Sequence, residues 1–186
     1  MNRSASLRLV MAAVFAALSC VATMGISIPI PAVKGYVNAG DCVVLLGAFL
    51  LGPFYGMAAG AFGSALADLF LGYTYYAPGT LVIKGLMALA AALLFSCLKK
   101  QTRFSCLPAA VVGELWMVLG YFFYESMILG YGLAALGSVP ANLVQGAVGT
   151  LLALVLYRSL TAVPQIRKLE TKEGECNADA RVSPRS

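Results

Sequence analysis

Histidine is absent from this chain, and charged side chains make up only 11% of its 186 residues. Without histidine there is neither a His metal site nor a His general base, and the five cysteines (Cys20, Cys42, Cys97, Cys106, Cys176) form no Cys-x-x-Cys pair. No Walker A phosphate loop, Gly-x-Ser-x-Gly elbow or zinc-protease signature occurs. The expectation is a protein that is not an enzyme, has no ATPase site of its own and uses no metal or cofactor. The scattered cysteines read as small core residues.

What the chain has in excess is apolar surface. It is 60% hydrophobic with a mean hydropathy of +0.84, outside the range of soluble domains. Six apolar stretches are predicted as helices at about residues 7–28, 41–51, 55–71, 80–98, 107–129 and 139–160. Most approach the ~20 residues needed to cross ~30 Å of hydrocarbon. The second is short and is ended by Gly52-Pro53, which predicts a tight turn. The fold class is therefore an all-α integral membrane protein, a bundle of six transmembrane helices spanning residues 1–160. Residues 161–186, rich in Lys, Glu, Ser and Asn, are expected to form a disordered cytoplasmic tail.

Charge gives the orientation. Arg3 and Arg8 precede the first stretch, Lys99, Lys100 and Arg103 join the fourth to the fifth, and Arg158, Arg167, Lys168 and Lys172 follow the sixth. The opposite connections offer only Lys34. By the positive-inside rule both termini are cytoplasmic. The net charge of +5 reflects basic residues at membrane exits, where anionic lipid attracts them, and implies no nucleic-acid partner. A signal peptide is the alternative reading of the first stretch, given Arg3, Arg8 and Ala-Leu-Ser-Cys20, but its uncharged run exceeds the usual ~7–15 residues.

Ionisable residues inside such spans are costly, on the order of 2.5–3.5 kcal/mol each, and must face the bundle interior or a wet cavity. Here they are Asp41, Asp68, Lys84, Glu114 and Glu125. All but Glu114 fall in the outer half of their helices, joined there by Tyr36, Asn38, Tyr73, Tyr75, Tyr76, Tyr121, Tyr124, Asn142 and Gln145. At 100° per residue, Glu114, Tyr121 and Glu125 form one polar stripe. Aromatic walls with a few directed polar groups suit a small, flat, partly polar molecule entering from outside. The alternatives for the parts are a tyrosine belt at the interface, an Asp68–Lys84 structural ion pair, and helix caps or interhelical hydrogen bonds for Asn38, Asn142 and Gln145.

Small residues mark two further stripes. Ala12, Ala13, Ala16 and Ala17 form two overlapping Ala-x-x-x-Ala pairs on the cytoplasmic half of the first helix, suited to an external partner or to packing in the bundle. Gly56, Gly60, Gly63, Ser64 and Ala67 form another, read as packing within the bundle.

The motifs Tyr36-Val-Asn-Ala-Gly-Asp41, Leu50-Leu-Gly-Pro53, Tyr55-Gly56, Gly60, Gly63-Ser-Ala-Leu-Ala-Asp-Leu69, Gly72-Tyr73, Tyr76-Ala-Pro78 and Ile83-Lys-Gly-Leu86 resemble those of a known family. It is the substrate-binding S components of energy-coupling factor (ECF) vitamin transporters, riboflavin-transporter-like subgroup. The resemblance covers the first half of the chain closely and the last two helices only in pattern. It implies a prokaryotic cell-membrane protein that captures a vitamin from outside beneath a lid, here Pro29 to Gly40. Ala12, Ala13, Ala16 and Ala17 match the motif by which such a subunit docks on a membrane coupling subunit served by two cytoplasmic ATPases.

The site residues expected to bind cargo are Tyr36, Asn38, Asp41, Asp68, Tyr73, Tyr76, Lys84, Tyr121, Glu125 and Asn142. The subgroup implies pyridoxine or the hydroxymethylpyrimidine precursor of thiamine as cargo. Riboflavin, or a stand-alone ion-coupled secondary transporter using Glu114, stays open. A membrane-embedded enzyme using Asp41 and Asp68 is the third class, disfavoured by their glycine-rich context.

Overall fold

The computed structural model describes residues 3–30, 35–98 and 105–162. Its order is α1 (Arg3–Gly25), β1 (Ser27–Ile30), β2 (Gly35–Asn38), α2 (Asp41–Phe70), α3 (Ala77–Leu98), α4 (Cys106–Phe123), a π-helical turn (Tyr124–Ile128), a 3-10 turn (Gly132–Gly137) and α5 (Val139–Thr161). Five helical stretches are long and apolar enough to cross a membrane: Ala5–Gly25, Asp41–Phe70, Ala77–Leu98, Cys106–Ile128 and Gly132–Thr161. The basic residues Lys34, Lys99, Lys100, Arg103, Arg167, Lys168 and Lys172, the lid positions 31–34 and the tail from 163 onward lie outside the described residues.

The two helices predicted at 41–51 and 55–71 form one element, α2, that bends sharply. Gly52 breaks it with φ 76° and ψ −175°, a conformation only glycine adopts without strain. Pro53 follows, where a missing N–H costs the second limb nothing. In a straight helix residues eight apart lie roughly 12 Å from each other. Here a Cβ on Gly56 would stand 2.7 Å from Ala48 Cα, and one on Gly60 would stand 2.9 Å from Val44 Cγ1. The limbs therefore run back along each other, and Gly56 is glycine because the opposite backbone occupies the space.

The rest of the small-residue stripe continues this packing. A Cβ on Gly63 would strike the Ala16 carbonyl oxygen of α1, and Ser64 lies 3.4 Å from Ser19, Oγ to Oγ. Gly113 and Gly120 of α4 do the same against Met87 and Ile83 of α3. Leu45, Met87, Ala88, Ala91, Met117 and Ala153 are completely enclosed at the bundle centre. The outer faces carry exposed Val10, Val14, Leu18, Val21, Phe62, Val144 and Val155, as expected where lipid replaces water as solvent.

The two ends of the bundle differ. Phe49, Phe95 and Tyr157 close one end, with ring centroids 4.9 to 5.7 Å apart. At the other end converge the C-terminus of α1, the start of α2, the end of its second limb, the start of α3, the end of α4 and the start of α5. Two sequence expectations are corrected there. The first helix stops at Gly25 instead of residue 28, because residues 27–30 pair antiparallel with 35–38 in the register Ser27↔Asn38, Pro29↔Tyr36. The fifth loses α-helical form at Tyr124, where a π turn takes over.

Candidate functional site

At that end twelve side chains enclose a cavity: Thr23, Tyr36, Asn38, Ser64, Asp68, Tyr76, Thr80, Lys84, Tyr121, Glu125, Asn142 and Gln145. Its empty space, solvent mouth included, is about 390 Å³, and its interior is narrow. The β-hairpin forms the roof. Strand alternation sends Tyr36 and Asn38 to the same side, and Gly35 lies against the Tyr76 hydroxyl, where a Cβ would stand only 2.9 Å away.

The roof is fastened by polar bonds. The Tyr36 hydroxyl donates to Asp68 Oδ1 at 2.5 Å, and the Asn38 backbone N–H donates to Gln145 Oε1 at 2.6 Å. Burial, and then the charge of Asp68, push the Tyr36 phenol above its ordinary range and keep it a donor. Asn38 Oδ1 accepts the Gly40 N–H at 2.9 Å, which turns the chain into α2. The Tyr73 ring stands over Tyr36 with centroids 4.7 Å apart.

The floor is an ion pair. Lys84 Nζ donates to Asp41 Oδ1, with both side chains 1% exposed. Gln145 Nε2 donates to Asp41 Oδ2 at 2.6 Å, and the ammonium lies 5.6 Å from the Tyr121 ring centroid. Asp41 is thus the partner of Lys84, which corrects the Asp68–Lys84 pairing considered from sequence. Adjacency in the hairpin of α2 puts Asp41 and Asp68 at the same end, and the start of the first limb reaches Lys84.

The far wall is made by α4 and its π turn. Glu125 Oε1 accepts from the Tyr76 hydroxyl at 3.0 Å and Oε2 from the Ser138 hydroxyl at 2.5 Å. Thr80 Oγ1 and the Tyr121 hydroxyl lie 3.0 Å apart. The Tyr124 hydroxyl donates to the Tyr75 carbonyl at 2.7 Å, its ring seated on Gly79. Burial, and then the charge of Glu125, raise the Tyr76 phenol.

Of the ten cargo-site residues expected from sequence, Tyr36, Asn38, Asp68, Tyr76, Lys84, Tyr121, Glu125 and Asn142 line the cavity. Asp41 lies beneath it and Tyr73 outside it. The other four wall residues are Gln145, noted from sequence only as a polar neighbour, and Thr23, Ser64 and Thr80, which sequence reasoning missed as wall residues. A signal existed, since Ser64 and Thr80 each stand four residues before a charge already singled out, Asp68 and Lys84, and so share its helix face. Glu114 does not reach the cavity. It is buried against Gly146 and Gly149 of α5 beside Asp41, with neither carboxylate oxygen partnered. No group of three or more metal-ligating side chains occurs among the described residues.

The alanine quartet of α1 is divided. Ala12 is buried and Ala16 packs toward Gly63, while Ala13 and Ala17 face outward. Half of the quartet is thus used to hold α1 on α2.

The sequence model of the family described as "ECF-type riboflavin transporter, S component" matches residues 4–162. The thiamine precursor transporter HmpT of Lactococcus lactis subsp. cremoris is 31% identical over 150 residues, covering 80% of this chain and 84% of that protein. An uncharacterised protein of Pyrococcus woesei is 41% identical over 133 residues, covering 71% of this chain and 86% of its own length. A solved S component of a bacterial ECF transporter superposes with a TM-score of 0.64 at 21% identity, covering 84% of this chain and 96% of that one.

Proposed function

Because the chain belongs to the ECF-type riboflavin transporter S component family, the substrate-binding membrane subunits of vitamin transporters, we propose that its cargo is a single-ring vitamin or precursor, hydroxymethylpyrimidine or pyridoxine. The observation that carries this reading is the narrow polar and aromatic cavity roofed by the Ser27–Asn38 hairpin. Its walls offer tyrosine edges and faces to a flat ring, and carboxylate and amide groups to ring nitrogens and hydroxyls. A one-ring compound suits that narrow interior better than the three fused rings of riboflavin. The thiamine precursor transporter among the relatives supports a pyrimidine.

In this reading the limbs of α2 cross the membrane separately, giving six crossings with both termini in the cytoplasm of a prokaryotic cell. The polar end then faces outward, and the plug of Phe49, Phe95 and Tyr157 faces inward. S components of this family dock with an ECF module, and the ATPases of that module supply the energy. On this chain the exposed Ala13 and Ala17 would meet the membrane coupling subunit. Cargo release follows docking, since the aromatic plug gives the undocked subunit no inward path.

Mass spectrometry of small molecules that co-purify with the detergent-solubilised protein, followed by thermal shift with a vitamin panel, tests the cargo. A ligand at 100 times its dissociation constant adds ~2.7 kcal/mol of stability. Stabilisation by hydroxymethylpyrimidine or pyridoxine at submicromolar concentration supports the reading, and stabilisation by riboflavin alone replaces it. Uptake by this chain in cells lacking the ATPases, abolished by Glu114→Gln, would point instead to an ion-coupled secondary transporter.

A further inference from the structure

Most polar groups facing the cavity are already engaged. The Lys84 ammonium is held by Asp41, both oxygens of Glu125 accept hydroxyl protons, and both ends of the Gln145 amide are bonded. Two buried wall atoms lack a partner: Asp68 Oδ2 and Thr23 Oγ1. Asp68 is 3% exposed and Thr23 2%, and both line the cavity. A buried polar atom left unpaired is costly, and a group that pairs it gains the difference.

We propose, resting on the reading of this cavity as the cargo site, that Asp68 selects the cargo by charge and donor. Its free oxygen takes an N–H or O–H from a neutral or cationic heteroaromatic, and the cavity rejects anionic forms of the same compounds, phosphate esters above all. The charge balance drives the second half. Lys84 is neutralised by Asp41, which leaves Asp68 and Glu125 facing the cargo. An anion entering would meet carboxylates in a narrow space with no free cation among the wall residues. Thr23 Oγ1 supplies one adaptable bond, donating or accepting, to a cargo hydroxyl.

Asp68 also has a second duty. Its Oδ1 accepts the roof's Tyr36 hydroxyl, so one carboxylate holds both cargo and hairpin. Cargo that engages Oδ2 fixes the carboxylate plane and thereby the acceptor to which the hairpin fastens.

The test compares matched pairs on the purified full-length chain by calorimetry: hydroxymethylpyrimidine, pyridoxine and riboflavin, each beside its phosphate ester. The expected result is an ester at least about 100-fold weaker than its alcohol. Asp68→Asn should weaken the alcohol on the order of 10- to 100-fold, and Thr23→Val should weaken it less. An ester bound as tightly as its alcohol overturns the inference while the transport reading stands. Binding of riboflavin alone refutes the cargo reading, and the riboflavin pair then decides the inference. Binding of none of the three alcohols overturns both. The comparison of pairs on wild type needs no variant to fold. An Asp68→Asn protein that melts like wild type without ligand and still binds the alcohol at full affinity also sinks the proposal.

Discussion

Replacing Asp41 by Asn should be among the most destabilising conservative changes in this chain. Its carboxylate accepts from Lys84 through one oxygen and from Gln145 through the other, and both members of the ion pair are 1% exposed. The amide keeps the shape and one hydrogen bond but deprives the ammonium of its hydrogen-bonded counter-charge. Breaking one side of a buried pair costs about 3–5 kcal/mol, most of it the uncompensated charge. For a chain of this length that corresponds to a fall in melting temperature of roughly 6–20 °C. Lys84→Met alone strands the carboxylate in the same way. The double variant, Asp41→Asn with Lys84→Met, carries no charge and should recover most of the loss, so a double-mutant cycle in detergent should return a coupling of about 2 kcal/mol or more. If the single changes each cost under about 1 kcal/mol, or if their effects simply add, the pair is not the floor of this bundle and the reasoning fails.

Gly52→Ala forces a Cβ onto a backbone at φ 76°, ψ −175°, and should cost of order 1–3 kcal/mol in thermal unfolding. Gly63→Val drives a side chain into the Ala16 carbonyl, and should destabilise the chain by about 1–3 kcal/mol in thermal unfolding. Glu114→Gln removes a buried carboxylate whose oxygens have no partner, so stability should hold or rise, and a loss beyond about 1 kcal/mol would show that the charge is needed. Ala13→Trp or Ala17→Trp should leave cargo affinity unchanged while preventing co-purification with the coupling subunit, whereas the same change at buried Ala12 should destabilise the chain itself.

The positions of Gly52-Pro53, the charges and the apolar runs made the bundle legible, because a membrane span must satisfy its own backbone and any charge inside must turn inward. That logic also gathers Tyr36, Asp68, Tyr76, Lys84, Tyr121 and Glu125 at one end. It did not pair them. Whether Lys84 meets Asp41 or Asp68 depends on how α2 and α3 are rotated, which the glycine contacts at positions 60 and 85 set and no periodicity records. The lid expected at Pro29 to Gly40 carried no strand expectation, and prolines such as Pro29 and Pro31 discourage one. Pro29 nonetheless stands opposite Tyr36 in a two-stranded ribbon whose edges need no further partner. Nor could the quartet on α1 be split by sequence. Ala12 and Ala16 share one face and Ala13 and Ala17 the next, and only the approach of Gly63 shows which is used inside.

The roof and the floor of the cavity meet through one amide. Gln145 accepts the Asn38 N–H of the hairpin and donates to Asp41, whose other oxygen holds Lys84. On the opposite edge Tyr36 holds the hairpin to Asp68. Each neutral bond is worth about 0.5–1.5 kcal/mol net, and the charge-assisted one about 1.5–3. The fastenings of the hairpin over the cavity are therefore few and mostly polar, beside the Tyr36–Tyr73 ring contact. Such a lid opens at a cost of a few kcal/mol, while the Asp41–Lys84 pair below it, enclosed by three helices, stays in place. The same bonds that shape the cavity thus leave its roof the least stable part of that end of the bundle.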